Sequence, residues 1–403
     1  MSDRGRLGRP HAEPVTRSAR AARAQRKSHG TRRAPIVARP APATRERGVG
    51  GSATKSRPAV RPRRRGAWAW RVLRALAVVI LAAVVTVAVL VWFRVVAFND
   101  TISTSSAYSV PMLGALNGSE RVNVAVFGYA GQEQEESAFL SDAINILSID
   151  PATDTTTLVA VPRDLWIEGV DAVSQNGKIN EAFAIGYLNG GIEEAASLST
   201  EVLREVTGLR IDHWMAMDFA GFHEMVDAVG GVTIDNPRAF AYTTYEPAHE
   251  AGIWNSGEFP EGEIHLDGRT ALAYARARYT NTVEESSDFA RSIRQQRIMS
   301  ALKAKLGSGG LGSIGPGLAV MRALEGRMKT NLSAIDLFLL SEHLDVDRRL
   351  TLPEDEVLVA TTNSIGQYIL LPIDWSGPGQ YGRVHAYLEE QLAEPAEQTA
   401  RPE

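Results

Sequence analysis

The stretch Leu158-Val159-Ala160-Val161-Pro162-Arg163-Asp164 decides the fold. An apolar, β-branched strand over 156–161 runs into a proline and hands the chain directly to a guanidinium and a carboxylate. Polar groups just past the end of a strand are where open α/β sheets place ligand contacts. Upstream, 122–127 and 144–149 read as two further strands, with turn-forming residues 151–154 before the third. Their alternation is too weak for a one-sided sheet, so both faces are expected to be covered. Downstream, helical periodicity over 192–206 leads to a short strand at 214–217, a helix at 219–229, a break at Gly230-Gly231 and a strand at 232–234. Helices follow at 268–276 and 288–306. A Gly-rich break at 307–317 precedes two more helices, a strand near 356–360 and a closing helix near 383–390. Interleaved strands and helices predict an α/β domain with a central sheet.

The 403-residue chain is too long for that core alone, and its charge is divided. Residues 1–74 hold 21 Arg and Lys against 3 Asp and Glu, whereas the remainder holds 22 against 44, so the formal net charge of −4 hides two segments of opposite sign. Between them lie 19 uncharged residues, 75–93, nearly all Ala, Val, Leu and Ile. As a helix they span about 28 Å, one bilayer core. Trp68, Trp70 and Trp92 suit the two interfacial belts, and Arg71 and Arg74 close the basic side. The expected topology is therefore a single-pass cell-membrane anchor over 67–95 with the N-terminus cytoplasmic and everything beyond about 95 outside. A cleaved signal peptide is the rival, but its apolar region would be shorter and followed by a small-x-small site. Residues 1–66 lack aliphatic periodicity and read as a disordered basic tail. No nucleic-acid partner is expected, because no folded binding module follows on the same side. Residues 96–119 read as a polar linker, 120–306 as the catalytic domain, 307–390 as a C-terminal part of the same extracellular domain, and 391–403 as a disordered tail.

Several chemistries lose their anchors. Cysteine is absent, which removes disulfides, thiol nucleophiles and thiolate metal sites. Gly307, Gly309 and Gly312 have G-x-G-x-x-G spacing but leave a helix, not a strand. Gly177-Lys178 lacks the rest of a phosphate-binding P-loop. His223-Glu224 and His249-Glu250 lack the second histidine of a zinc helix, and no G-x-S-x-G elbow occurs.

What survives is a set of Arg and Asp residues at element ends. Arg276 and Arg278 stand two apart after a helix, so in an extended stretch both guanidinium groups point the same way. On the helix that starts at Asp288, the residues Asp288, Arg291, Gln295, Ile298, Leu302 and Leu306 fall within about 80° of one another. The apolar half of that stripe must face the core, which turns Asp288, Arg291 and Gln295 inward too. An inward arginine needs a carboxylate or a bound anion. The bland alternative is an Asp288–Arg291 ion pair with the other arginines solvated. Four arginines at boundaries in an acidic domain favour an anion site, and several planar forks suit a diphosphate. Asp142, before the strand at 144, is either a hard-cation ligand for Mg²⁺ or a turn residue.

The segments Ser141-Asp142-Ala143-Ile144, Val161-Pro162-Arg163-Asp164-Leu165-Trp166, Lys178-Ile179-Asn180-Glu181-Ala182-Phe183, Val226-Asp227-Ala228-Val229-Gly230-Gly231-Val232, Leu266-Asp267-Gly268, Tyr274-Ala275-Arg276-Ala277-Arg278 and Asp288-Phe289-Ala290-Arg291 with Arg294-Gln295-Gln296 resemble, in order, the LytR-CpsA-Psr family of cell-wall glycopolymer ligases. The resemblance covers about 120–306. It implies a membrane-anchored, three-layer α/β/α domain with a central mixed sheet that moves a polyprenyl-diphosphate-linked glycopolymer onto peptidoglycan through a phosphodiester. It implies diphosphate binding by Arg163, Arg276, Arg278, Arg291 and Gln295, with Arg278, Asp288 and Arg291 as catalytic residues and Asp142 and Asp288 serving Mg²⁺ (or Mn²⁺). Two departures stand out. Ala130 occupies a position where many members carry Asp, leaving Glu133, Glu135 or Glu136 as substitutes, and Tyr187-Leu188-Asn189 is inserted before Gly190-Gly191. The expected reaction is phosphoryl transfer. The alternatives are a diphosphatase, with water as acceptor, and a non-catalytic wall-precursor-binding or regulatory membrane protein.

Overall fold

A computed structural model of the chain describes residues 65–107, 109, 111–131, 139–243, 256–277, 279–286, 288–307 and 314–394. The expected tail over 1–66 lies outside these apart from its last two residues. The chain clusters into two units, Met1–Trp68 and Ala69–Glu403, and the fold is that of the second. Helix α1, Arg65–Ile102, carries the uncharged run and is long and apolar enough to cross a membrane, with its apolar side chains exposed.

The helix does not stop where that run stops. Val95, Phe98 and Ile102 recur at i, i+3 and i+7, and Phe98 and Ile102 are buried in the domain. Arg94 pairs with Glu325, and the Asn99 side chain accepts from the Ala334 amide at 2.9 Å while donating to the Ser105 carbonyl at 2.8 Å. Helix α2, Pro111–Leu116, then buries Met112. The stretch 96–119, expected as a linker, is therefore built into the domain.

The central sheet has six strands in the order β5-β4-β1-β2-β3-β6. They are β1, Val122–Tyr129; β2, Ser141–Asp150; β3, Thr155–Ala160; β4, His213–Asp218; β5, Met328–Thr330; and β6, Arg348–Thr351. β1 runs antiparallel to β2 and parallel to β4, β3 is antiparallel to β2 and parallel to β6, and β5 is antiparallel to β4. The sheet is mixed, as the family resemblance implies. Both edge strands come from beyond residue 306, so that position is no domain boundary.

Neighbouring residues on β2 go to opposite cores, Ile146 to one and Leu147 to the other, as period-two geometry requires. On the first face lie α3, Glu181–Thr207, and α9, Gly382–Ala393, which runs beyond the expected end at 390. Phe183, Val202, Leu203, Val384 and Leu388 are fully buried there. On the second face lie α2, α4 (Phe219–Ala228), α5 (Gly268–Arg276), α6 (Asp288–Gly307), α7 (Ile314–Leu324) and α8 (Ala334–Glu342). α7 starts inside the expected 307–317 break, of which 308–313 lie outside the described residues.

The inserted Tyr187-Leu188-Asn189 has a visible consequence. It leads into a kink in α3, where Gly191 takes φ 79° and ψ −159°, a conformation essentially reserved for glycine. The chain turns back so closely that a Cβ on Gly186 would lie 2.6 Å from Ala195 Cα. Tyr187 stacks on Phe139 with ring centres 3.4 Å apart.

Candidate functional site

The site begins with a slip in strand pairing. Gly128 faces Ala143, but Tyr129 faces Ser141, which leaves Asp142 as the extra residue of a β-bulge. A bulge re-aims a side chain out of the ladder alternation. Asp142 is turned onto the loop after β3, where its Oδ1 accepts from Arg163 Nη1, and its Oδ2 lies 3.8 Å from Arg276 Nη2. Arg163 Nε lies 3.7 Å from Asp164 Oδ2, and Asp164 Oδ1 accepts from Lys178 Nζ at 2.5 Å. The result is a row of alternating sign, Lys178–Asp164–Arg163–Asp142–Arg276, with three cations and two carboxylates. Its side chains are 20–30% exposed, so these charges are accessible and only partly screened.

Arg276 closes α5, and its guanidinium carbon stands 4.3 Å from the centre of the Phe219 ring. That contact holds the planar group against an apolar wall, with its edge turned toward Asp142. Behind it lies Arg294, completely buried on α6. Nε donates to the Tyr274 carbonyl at 2.9 Å, Nη1 donates to the Glu285 carbonyl and carboxylate at 2.8 and 2.7 Å, and Nη2 donates to the Ala277 carbonyl. Burial lowers the Arg294 pKa and Glu285 opposes the shift. Arg294 thus clamps the backbone on both sides of Arg276. Sequence reasoning had no role for it, because the helix wheel assigned only one stripe to the interior, whereas α6 also buries Ser292 and Gln296.

Arg291 and Gln295 are one turn apart on α6, and Gln295 Nε2 points to the Ala275 carbonyl at a long 3.5 Å. Arg278 and the Asp288 side chain lie outside the described residues; the Asp288 backbone is the first residue of α6. The candidate residues Asp142, Arg163 and Arg276 are in direct contact. Arg291 and Gln295 line the adjoining space. Asp164, read above as a polar group past the end of a strand, and Lys178, set aside above with the incomplete P-loop, complete the row.

Two cavities meet here. The first, of about 400 Å³, is walled by apolar side chains, among them Phe98, Met217, Phe222, Met299, Leu302 and Val320, and Arg276, Gln295 and Asn145 also line it. The second, of about 240 Å³, is more polar, with Arg291, Ser292, Gln295, Asn145, Thr351 and Glu354 in its lining. Ala143, Asn145 and Gln295 are common to both. The sheet explains the arrangement, since the apolar slot lies over β1 and β4, the polar cavity opens at the ends of β3 and β6, and the shared residues belong to β2 and the helix above it.

Near the bulge, burial, reinforced by Asp218, holds the Tyr129 hydroxyl well above its ordinary pKa, so the ring is neutral where it stacks on Phe183. For a divalent cation the described donors are oxygen-only, Asp142 with Asp164 on the far side of Arg163, the chemistry that a hard ion takes. Both Asp142 oxygens already face arginine, and no group of three or more His, Asp or Glu converges among the described residues. Glu133, Glu135 and Glu136 lie outside them.

The sequence model of the LytR_cpsA_psr family matches residues 95–367. The chain belongs to that family. A relative in Enterococcus faecalis, named polyisoprenyl-teichoic acid–peptidoglycan teichoic acid transferase TagU, is 28% identical over 223 residues, 55% of this chain and 65% of that protein, so just under two thirds of its length is matched. A TagU of Oceanobacillus iheyensis is 28% identical over 256 residues, 62% of this chain and 72% of its own. The crystal structure of protein gbs0355 from Streptococcus agalactiae superposes with a TM-score of 0.51 at 21% identity, over 73% of this chain and 94% of that one, which shows a shared fold. The LytR_cpsA_psr match begins at residue 95, inside α1, in keeping with a membrane helix that continues into the domain.

Proposed function

We propose that this LytR_cpsA_psr protein is a phosphotransferase that ligates a polyprenyl-diphosphate-linked glycopolymer, of the teichoic acid or arabinogalactan kind, to peptidoglycan through a phosphodiester. The observation that carries the reading is the junction of an apolar slot of about 400 Å³ with the Asp142–Arg163–Arg276 cluster. A prenyl chain seeks the first, at roughly 0.8 kcal/mol per CH₂ removed from water. A diphosphate seeks the second. The α1 helix would anchor the protein with its basic N-terminus in the cytoplasm and the domain outside.

A hydroxyl of the wall glycan attacks the phosphorus that bears the glycopolymer, and polyprenyl phosphate departs. Arg163 and Arg276, joined by Arg278 and Arg291, hold the non-bridging oxygens and offset the charge that develops on them and on the leaving group. Asp142 fixes the spread of the two forks, and Asp288 orients Arg291 or accepts the acceptor's proton. Asp142 and Asp288 would be the residues to hold Mg²⁺ or Mn²⁺, which would add charge neutralisation at the diphosphate.

Incubation of the purified full chain with labelled lipid-linked oligosaccharide, Mg²⁺ and peptidoglycan tests the reading. Label on the wall polymer supports ligation. Free sugar phosphate would instead make the protein a diphosphatase, and retention without turnover a binder.

A further inference from the structure

The reading just given places the lipid but leaves the polar cavity without an occupant. We propose that this cavity is the acceptor pocket, which takes one sugar ring of the wall glycan and presents its hydroxyl to the phosphorus. The proposal rests on the phosphotransferase reading and adds the position of the second substrate.

Sheet order carries the argument. Along the sheet order the apolar slot covers β4 and β1, and the polar cavity opens at the ends of β3 and β6, where Val161, Leu352 and Leu370 of the core under α3 and α9 also line it. Strands in a sheet stand about 4.8 Å apart, so the two cavities extend in opposite directions from β2. The Arg163–Asp142–Arg276 cluster sits at the end of β2, where they meet. Phosphoryl transfer requires the entering and leaving oxygens to lie roughly in line through phosphorus. A leaving group whose tail fills the slot therefore points the line of attack into the polar cavity. The donor glycan hangs from a third position on the same phosphorus, off that line, and its length suits open solvent.

The lining agrees with a sugar ring. Ser292, Thr351, Asn145 and Gln295 offer hydroxyl and amide groups to ring hydroxyls, while Leu352 and Leu370 give apolar contact for the C–H face. Arg291 stands at the same wall, between ring and phosphate. In the step itself the acceptor oxygen forms a new bond to phosphorus, the bond from phosphorus to the bridging oxygen breaks with its electron pair going to the polyprenyl phosphate, and the hydroxyl proton passes to solvent.

The test uses the full chain in detergent micelles with Thr351→Val and Ser292→Ala, each removing one hydroxyl with little change of shape. Acceptor KM for a soluble peptidoglycan fragment is expected to rise about fivefold to tenfold per hydroxyl, the loss of one neutral hydrogen bond, and the ratio of hydrolysis to transfer to rise with it. A rise in donor KM with acceptor KM unmoved would give the pocket to the donor's first sugar and overturn the proposal. No change in either would overturn it as well. Saturation-transfer NMR with a muramyl disaccharide reads the same pocket without turnover. Binding that weakens in the variants while the wild type transfers nothing keeps the pocket and sinks the phosphotransferase reading. Equal binding in all three proteins sinks the pocket.

Discussion

The two faces of the central sheet are built for different ends. Under α3 and α9 the contact is closed, with Phe127, Ile146, Phe183, Val202 and Leu388 each within 1% of complete burial. Under α6, α7 and α8 the same sheet leaves two cavities that share Ala143, Asn145 and Gln295 in their linings, and several of the residues that wall them, such as Met299 and Val320, are only half-buried. Both faces derive from strands of similar apolar content. The difference arises above the sheet, where the kinked α3 and α9 cover the first face, while the second is covered by more helices, of which α6 brings the polar Arg291, Ser292 and Gln295 to one corner. One face supplies stability and the other supplies space for ligands.

The largest expected effect falls on the closed face. Phe183→Ala removes a ring that stacks on Tyr129 and packs tilted against Phe127, and is expected to lower the unfolding free energy by about 3–5 kcal/mol in denaturant titration. Met299→Ala, at the slot, is expected to cost under about 1 kcal/mol, because the space it leaves adjoins an existing cavity. Equal costs would break the comparison. Next come the arginines proposed to hold the diphosphate. Arg276→Ala, Arg278→Ala and Arg291→Ala should each reduce transfer by about 10²–10³-fold while the thermal midpoint moves little, and wild-type rates in all three would remove the site assignment.

Smaller effects sharpen how the domain is mounted on its anchor. Asn99→Ala deletes the acceptor for the first amide of α8 and is expected to cost about 1 kcal/mol, read as a lower thermal midpoint of the full chain. An unchanged midpoint would make the α1–domain junction looser than its bonds suggest. The smallest effect concerns pH. Burial lowers the His213 pKa on β4, so the unfolded chain binds a proton that the fold resists. That stability is intact above the ordinary value of about 6.5 and is lost as pH falls through it. A His213→Gln variant should show a flatter midpoint between pH 7.5 and 5.5 than the wild type.

Much of this was legible in the chain. The strands at β1 to β4 and the helices at α4, α5 and α6 follow apolar runs long enough to fix a period, and their ends carry the turn and capping residues that stop them, as Asp267 does for α5. β5 and β6 escaped because three- and four-residue edge strands show no period, and Arg348-Arg349 on β6 reads as surface. The bulge at Asp142 was invisible for another reason, since a bulge is a relation between two strands and no single strand encodes it. Arg294 was hidden by composition, because its partners are mostly backbone carbonyls, which every sequence has. The linker expectation failed at 96–119 because polar residues there mask the i, i+3, i+7 series of Val95, Phe98 and Ile102.

The central claim is that one diphosphate lipid bridges the apolar slot and the arginine cluster, and a crystal structure with a bound polyprenyl diphosphate tests it most directly. The account predicts phosphate oxygens on the Arg163 and Arg276 forks beside Asp142, with the prenyl chain running between Met217, Met299 and Leu302. A headgroup seated away from those arginines, or a tail lying outside the slot, would contradict it.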